Sequence, residues 1–146
     1  MEKIIQEKIS ADHLFYVSLK YTKTADVIIN LLKRWSSMIE LGIEALLKQA
    51  KKKKKIKSIP TNPRPRIETA KNAFKKNKEV IDAIELMEFF KRADNAEKQR
   101  ENEFRKNITL KILDRGKWVD INIDTLKEYA NTLENFISQV KQILSK

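Results

Sequence analysis

The sequence predicts a mostly all-α fold: a bundle of about five helices with one β-hairpin before the C-terminal helix. Three observations carry this. Apolar residues recur at helical spacing through most of the chain. The spacing changes to alternation only between Ile108 and Ile123. Two glycines in 146 residues argue against most β architectures and against glycine-rich phosphate loops. The length fits one domain, residues 1–146, with enough chain to bury a core without disulfides.

Residues 3–20 read as a first helix with Ile5, Ile9, Leu14, Val17 and Tyr21 at its apolar positions. The second helix, 24–55, has the clearest stripe: Ile28, Leu32, Trp35, Ile39, Ile43 and Leu46 follow one helix face. Val27, Leu31, Met38, Leu41 and Ala45 widen it, so this helix should have neighbours on several sides. Gly42 costs about 1 kcal/mol in a helix interior, which points to close backbone approach there. The lysine run should fray the helix end. Pro60, Pro63 and Pro65 then make Ile59 to Arg66 an extended stretch, so residues 51–66 form a basic connector.

A third helix covers about 66–76. Asn77 caps a fourth, about 78–93, with Val80, Ile84, Met87 and Phe89 or Phe90 facing in. Residues 95–106 are very polar. With Glu101 and Arg105 at i,i+4 they read as a solvated helix. Ile108, Leu110 and Ile112 then alternate, Asp114-Arg115-Gly116-Lys117 makes a turn, and Val119, Ile121 and Ile123 alternate again. Pairing Leu113 with Trp118 brings Ile112 to Val119, Leu110 to Ile121 and Ile108 to Ile123. It also sets Lys111 opposite Asp120. Asp124 caps a last helix to about 144, inward through Leu126, Tyr129, Leu133, Phe136 or Ile137, Val140 and Leu144.

Charge is distributed unevenly. The formal net charge is +11. From Lys48 to Lys78 there are thirteen basic residues and one acid, Glu68, so this segment carries +12 and the rest of the chain −1. Concentration matters because potentials add over a Debye length of about 8 Å. No cysteine is present, which excludes disulfides, thiolate catalysis and cysteine-ligated metals. No apolar run reaches the ~18 residues needed to span a bilayer, and a cytoplasmic setting is expected.

Motifs for catalysis are weak. His13 is the single histidine, with no nearby acid to orient it, and reads as structural or surface. Asp120-Ile121-Asn122-Ile123-Asp124 opens like a calcium loop but has Thr125 where glycine is required. Glu40 with Glu44, and Glu85 with Glu88, lack the histidines of a di-metal bundle. Trp35 and Phe89-Phe90 read as core. Trp118, on the hairpin face opposite the isoleucines and near Lys111, Arg115 and Lys117, reads either as helix packing or as a stacking residue.

A long second helix reading Ala25-Asp26-Val27-Ile28 through Ile43-Glu44-Ala45-Leu46-Leu47, after an N-terminal helix and before shorter ones, resembles HEPN-type bundles. The stretch Tyr21-Thr22-x-Thr24-x-Asp26-Val27-Ile28 is similar to short archaeal helical proteins. The resemblance covers about two thirds of the chain. It implies a bundle of four or five helices, dimerisation, and a link to RNA cleavage or to a partner nucleotidyltransferase. The ribonuclease motif of such bundles is an arginine, four to six residues, then a histidine. Here Arg105-Lys106-Asn107 runs on to Lys111 and Ile112 without a histidine, and His13 precedes every arginine. The resemblance therefore implies a non-catalytic member, with a degenerate ribonuclease as the enzyme alternative.

The expected function is nucleic-acid binding, RNA or an RNP favoured, with no cofactor and no metal. Lys51, Lys52, Lys53, Lys54, Lys55, Lys57, Arg64, Arg66, Lys71 and Lys75 would contact phosphates, and Trp118 would stack. The broad arc of residues 27–47 and the free hairpin face suggest a homodimer. The alternatives are a protein-interaction or dimerisation module without a nucleic-acid ligand, and attachment to a membrane surface through the polybasic run.

Overall fold

The computed structural model describes all 146 residues. The N-terminal rod comprises α1 (Glu2–His13), a π-helical segment (Leu14–Ser18) and α2 (Leu19–Tyr21). Then come α3 (Ala25–Lys52), α4 (Pro63–Ala73) and α5 (Lys78–Asp94). Strands β1 (Lys98–Glu101), β2 (Thr109–Asp114) and β3 (Lys117–Ile121) precede α6 (Ile123–Leu144). The expected helical bundle with strands before its last helix is the observed fold.

Helix α3 is the central element. Ile28, Leu32, Trp35, Ile39, Ile43 and Leu46 are all buried, as are Leu31 and Met38 from the widened arc. It packs against the rod, α4, α5, α6 and β2. The arc that suggested a dimer is therefore largely covered within one chain. Gly42 faces Phe136 of α6 so closely that a Cβ there would lie 2.5 Å from two ring carbons. The close approach read from that glycine is real.

The rod departs from its expected face. Ile4, Ala11, Phe15 and Leu19 are buried, whereas Ile9 and Tyr21 are 63% and 78% exposed. Two causes act together. The inward face carries a lysine, Lys8, which hides its periodicity. That ammonium is accommodated by Asp12 and by Glu134 of α6, each at 2.8 Å, and these carboxylates raise its pKa. Further on, the amide of Leu19 donates to the carbonyl of Leu14, five residues back, so the π turn shifts the helix face.

Two elements start or end differently from expectation. Helix α4 begins at Pro63, not after Arg66. Prolines are tolerated in a first helical turn, where the missing N–H has no intrahelical acceptor, so Pro63 and Pro65 open the helix instead of forbidding it. The lysine run does not fray. Lys54, at φ 60°, sits in the left-handed region. The Lys55 amide donates to Ala50 and the Lys54 amide to Lys51, at 2.8 and 3.0 Å. This is a Schellman motif, and it satisfies carbonyls at the end of α3. The connector is thus shorter than 51–66, and Ile56 and Ile59 tuck against the core.

The hairpin has the expected register, Leu110 with Ile121, Lys111 with Asp120, Ile112 with Val119 and Leu113 with Trp118. Ile123 lies in α6 instead of facing Ile108 across the ladder. Positive φ at Arg115 and Gly116 matches a two-residue type I′ turn. Residues 98–101 are not helix: β1 pairs antiparallel with β2 and makes a third strand. Glu101 bonds across the sheet to Lys111 instead of reaching Arg105, and Asn102 at φ 58° turns the chain. Helix α5 has Asn77 as N-cap, as expected. For α6 the cap is Asn122, not Asp124; its side chain accepts from the Thr125 amide at 2.9 Å.

Candidate nucleic-acid interface

The lysine run is presented by the end of α3. Its Schellman cap fixes the backbone of Lys53 to Lys55 and turns it toward the α4–α5 junction and the end of α6. Those elements enclose an open cleft of about 550 Å³. Lys53, Lys55, Lys75, Lys76 and Lys146 line it, and Glu79 is the one carboxylate on its wall. None of the five lysines is in an ion pair with a side-chain carboxylate; Lys53 donates to the main-chain oxygen of Lys146, the last residue of the chain, at 2.7 Å. Lysines so placed also complement helix ends, because α3, α4 and α6 all terminate here. Each end contributes about −0.5 charge. Five ammonium groups outweigh three such ends, Glu79 and the main-chain carboxyl of Lys146 together, so the cleft stays positive.

Only part of the expected set converges. Lys53, Lys55 and Lys75 meet in the cleft, joined by Lys76 and Lys146, which the expected site omitted. Lys51 and Lys52 are exposed in the last turn of α3, and Lys54 and Lys57 are exposed without lining the cleft. Lys71 turns to α5, where Glu88 accepts at 2.7 Å and raises its pKa. Arg64 is exposed near the start of α4. Arg66 donates through Nε to the Pro60 carbonyl at 3.2 Å and lines a different cleft with Glu7, Glu40 and Glu44. Its guanidinium is thus set among carboxylates and is not displayed from an extended proline segment.

Trp118 is 42% exposed on the outer face of the sheet, beside Leu113. It is remote from the lysine cleft. Helix α5 starts at the cleft and runs about 25 Å to the hairpin end, where Arg92 holds Asp114 through bonds of 2.8 and 3.3 Å. Neighbouring Lys111 is drawn between Glu101 and Asp120. Trp118 and the basic segment therefore do not form one surface.

His13 is exposed in the last turn of α1. No group of three or more His, Asp or Glu side chains could hold a metal ion. No helix is long and apolar enough to cross a membrane. In comparisons with protein-family models, curated proteins and solved structures, nothing matches the chain.

Proposed function

We propose that this protein is a non-catalytic nucleic-acid-binding protein that engages a phosphate backbone through its central basic segment, in a cytoplasmic setting. The observation that supports this is the set of five lysines, free of side-chain carboxylate partners, around one cleft at the ends of α3, α4 and α6. Lysines are flexible point charges suited to phosphate attraction and not to base readout, so binding has little sequence preference. The likeness to HEPN-type bundles favours RNA. Titration of single-stranded RNA, single-stranded DNA and duplex DNA at several salt concentrations tests the reading. Affinity that falls steeply as salt rises supports it; no binding at ~50 mM salt overturns it.

A second reading, a protein-interaction module or homodimer, has one observation in its favour. Ile9, Val17 and Tyr21 stand exposed on the N-terminal rod, apolar area that a second copy or a protein partner would cover. Light scattering distinguishes a dimer from a monomer.

A further inference from the structure

A second cleft lies at the opposite end of the bundle, between the end of the N-terminal rod, the start of β2 and the start of α6. It is open, with a volume of about 700 Å³. Lys20, Lys23, Lys106 and Lys127 line it, and none of them is in an ion pair; Asp124 is the one carboxylate present. The Lys23 ammonium donates only to the carbonyl of Lys20, at 2.5 Å. These lysines come from three separate stretches of sequence, outside the segment that holds the chain's charge excess.

What sets this cleft apart is its aromatic wall. Tyr16 is 62% exposed, and its ring leans on Phe15 with centroids 4.8 Å apart. Phe15 is buried and meets Trp35 edge-on at 6.0 Å, and Trp35 stacks on Phe90 at 6.2 Å. A chain of core rings thus backs the Tyr16 ring. Both aromatic residues lie in the π-helical segment, a local form that recurs at functional sites. The Asn107 side chain, also on the wall, has no hydrogen-bond partner within the chain and could meet a base edge.

We infer that this cleft binds an unpaired nucleotide of a single-stranded nucleic acid, with the base stacked on Tyr16 and the flanking phosphates held by Lys20, Lys23, Lys106 and Lys127. Stacking requires a base whose face is free, so a duplex cannot use this platform. Phosphate attraction alone would not need the ring, and an apolar ligand would not need four unpaired ammonium groups. The inference stands on its own residues, none shared with the lysine cleft. The two sites lie at opposite ends of α6, about 33 Å apart.

The test is fluorescence anisotropy with labelled single strands of eight uridines or eight thymidines, and a labelled duplex. Binding of either strand serves, because both offer a free pyrimidine face and a phosphodiester backbone. Tyr16→Ala should weaken single-strand binding roughly 5- to 100-fold and leave duplex binding unchanged. Tyr16→Phe keeps the ring and should stay close to wild type. Lys20→Gln with Lys127→Gln should flatten the salt dependence for single strands. Circular dichroism checks that the variants fold. Equal loss of single-strand and duplex affinity in Tyr16→Ala would overturn the inference, as would wild-type affinity in that variant. Replacing Lys53, Lys55 and Lys75 by glutamine separates the two sites. A remaining Tyr16-dependent interaction in that variant supports this inference even if the lysine cleft binds nothing.

Discussion

Replacing Gly42 by alanine should destabilise the protein, although the same change stabilises most helices. In an isolated helix the added methyl gains about 1 kcal/mol. Here the new Cβ would lie 2.5 Å from Cε2 and Cζ of Phe136 and 3.6 Å from Cγ2 of Val140. Carbon atoms pack at about 3.5 to 4.0 Å, so the ring or the backbone must move by roughly 1 Å. Phe136 is fully buried, with no solvent to move into. Overpacking of this kind costs about 1–3 kcal/mol. Because two ring carbons of a fixed side chain are struck, the upper half of that range applies, leaving a net loss of about 1–2 kcal/mol. Urea unfolding reads this directly, as a midpoint lowered by about 0.5–1 M at the usual slopes. The double variant with Phe136→Leu isolates the contact: in that background Gly42→Ala should be close to neutral or stabilising. A raised midpoint for Gly42→Ala alone would refute the packing of α3 on α6 described above.

Other outcomes follow from single contacts. Lys54→Gly should raise stability by about 1 kcal/mol, since it relieves a left-handed backbone at a side-chain-bearing residue; a fall in the urea midpoint would contradict the Schellman cap. Asn122→Ala should lower stability by about 1 kcal/mol through loss of the α6 cap, whereas Asp124→Ala should leave that cap intact. Asp114→Asn should lower stability at neutral pH by about 1 kcal/mol, a charged hydrogen bond discounted for partial exposure. Arg92 lowers the Asp114 pKa, so that carboxylate's stabilisation is complete above its unfolded value near 4. It is lost as pH falls through the lowered folded value. The difference between wild type and Asp114→Asn should therefore shrink below about pH 4, and a gap that persists unchanged in acid would contradict the pairing.

Much of the fold is legible in the sequence because two periods are written clearly. The α3 stripe is nearly all apolar, and the hairpin aligns its apolar face and the Lys111–Asp120 pair in one register. What is illegible has local physical causes. Strand β1 reads Lys98-Gln99-Arg100-Glu101, with no apolar alternation; pairing with β2 and the bond from Arg100 to Asp26 hold it. The rod's face is obscured by Lys8 and shifted by the π turn.

The candidate site divides in the same way. Segment charge shows where lysines are dense, but not that Glu88 takes Lys71 or that Arg66 lines a different cleft with Glu40 and Glu44. Lys146 joins the cleft only because α3 and α6 end side by side. The aromatic cleft around Tyr16 depends on residues from the rod, the approach to β2 and the start of α6, so no local pattern announces it.

The central claim is that converging lysines hold phosphates. Its most direct test is the salt dependence of nucleic-acid affinity for wild type and for the variant with Lys53, Lys55 and Lys75 replaced by glutamine. With about five phosphates neutralised, log affinity falls with log salt at a slope near −3.5 for single strands and −4.5 for duplex. The three substitutions should flatten that slope by about 2 to 3 without altering the fold, since all three side chains are exposed. Replacing Lys71, which is held by Glu88, should change the slope far less. A slope that stays the same in the triple variant would contradict the claim.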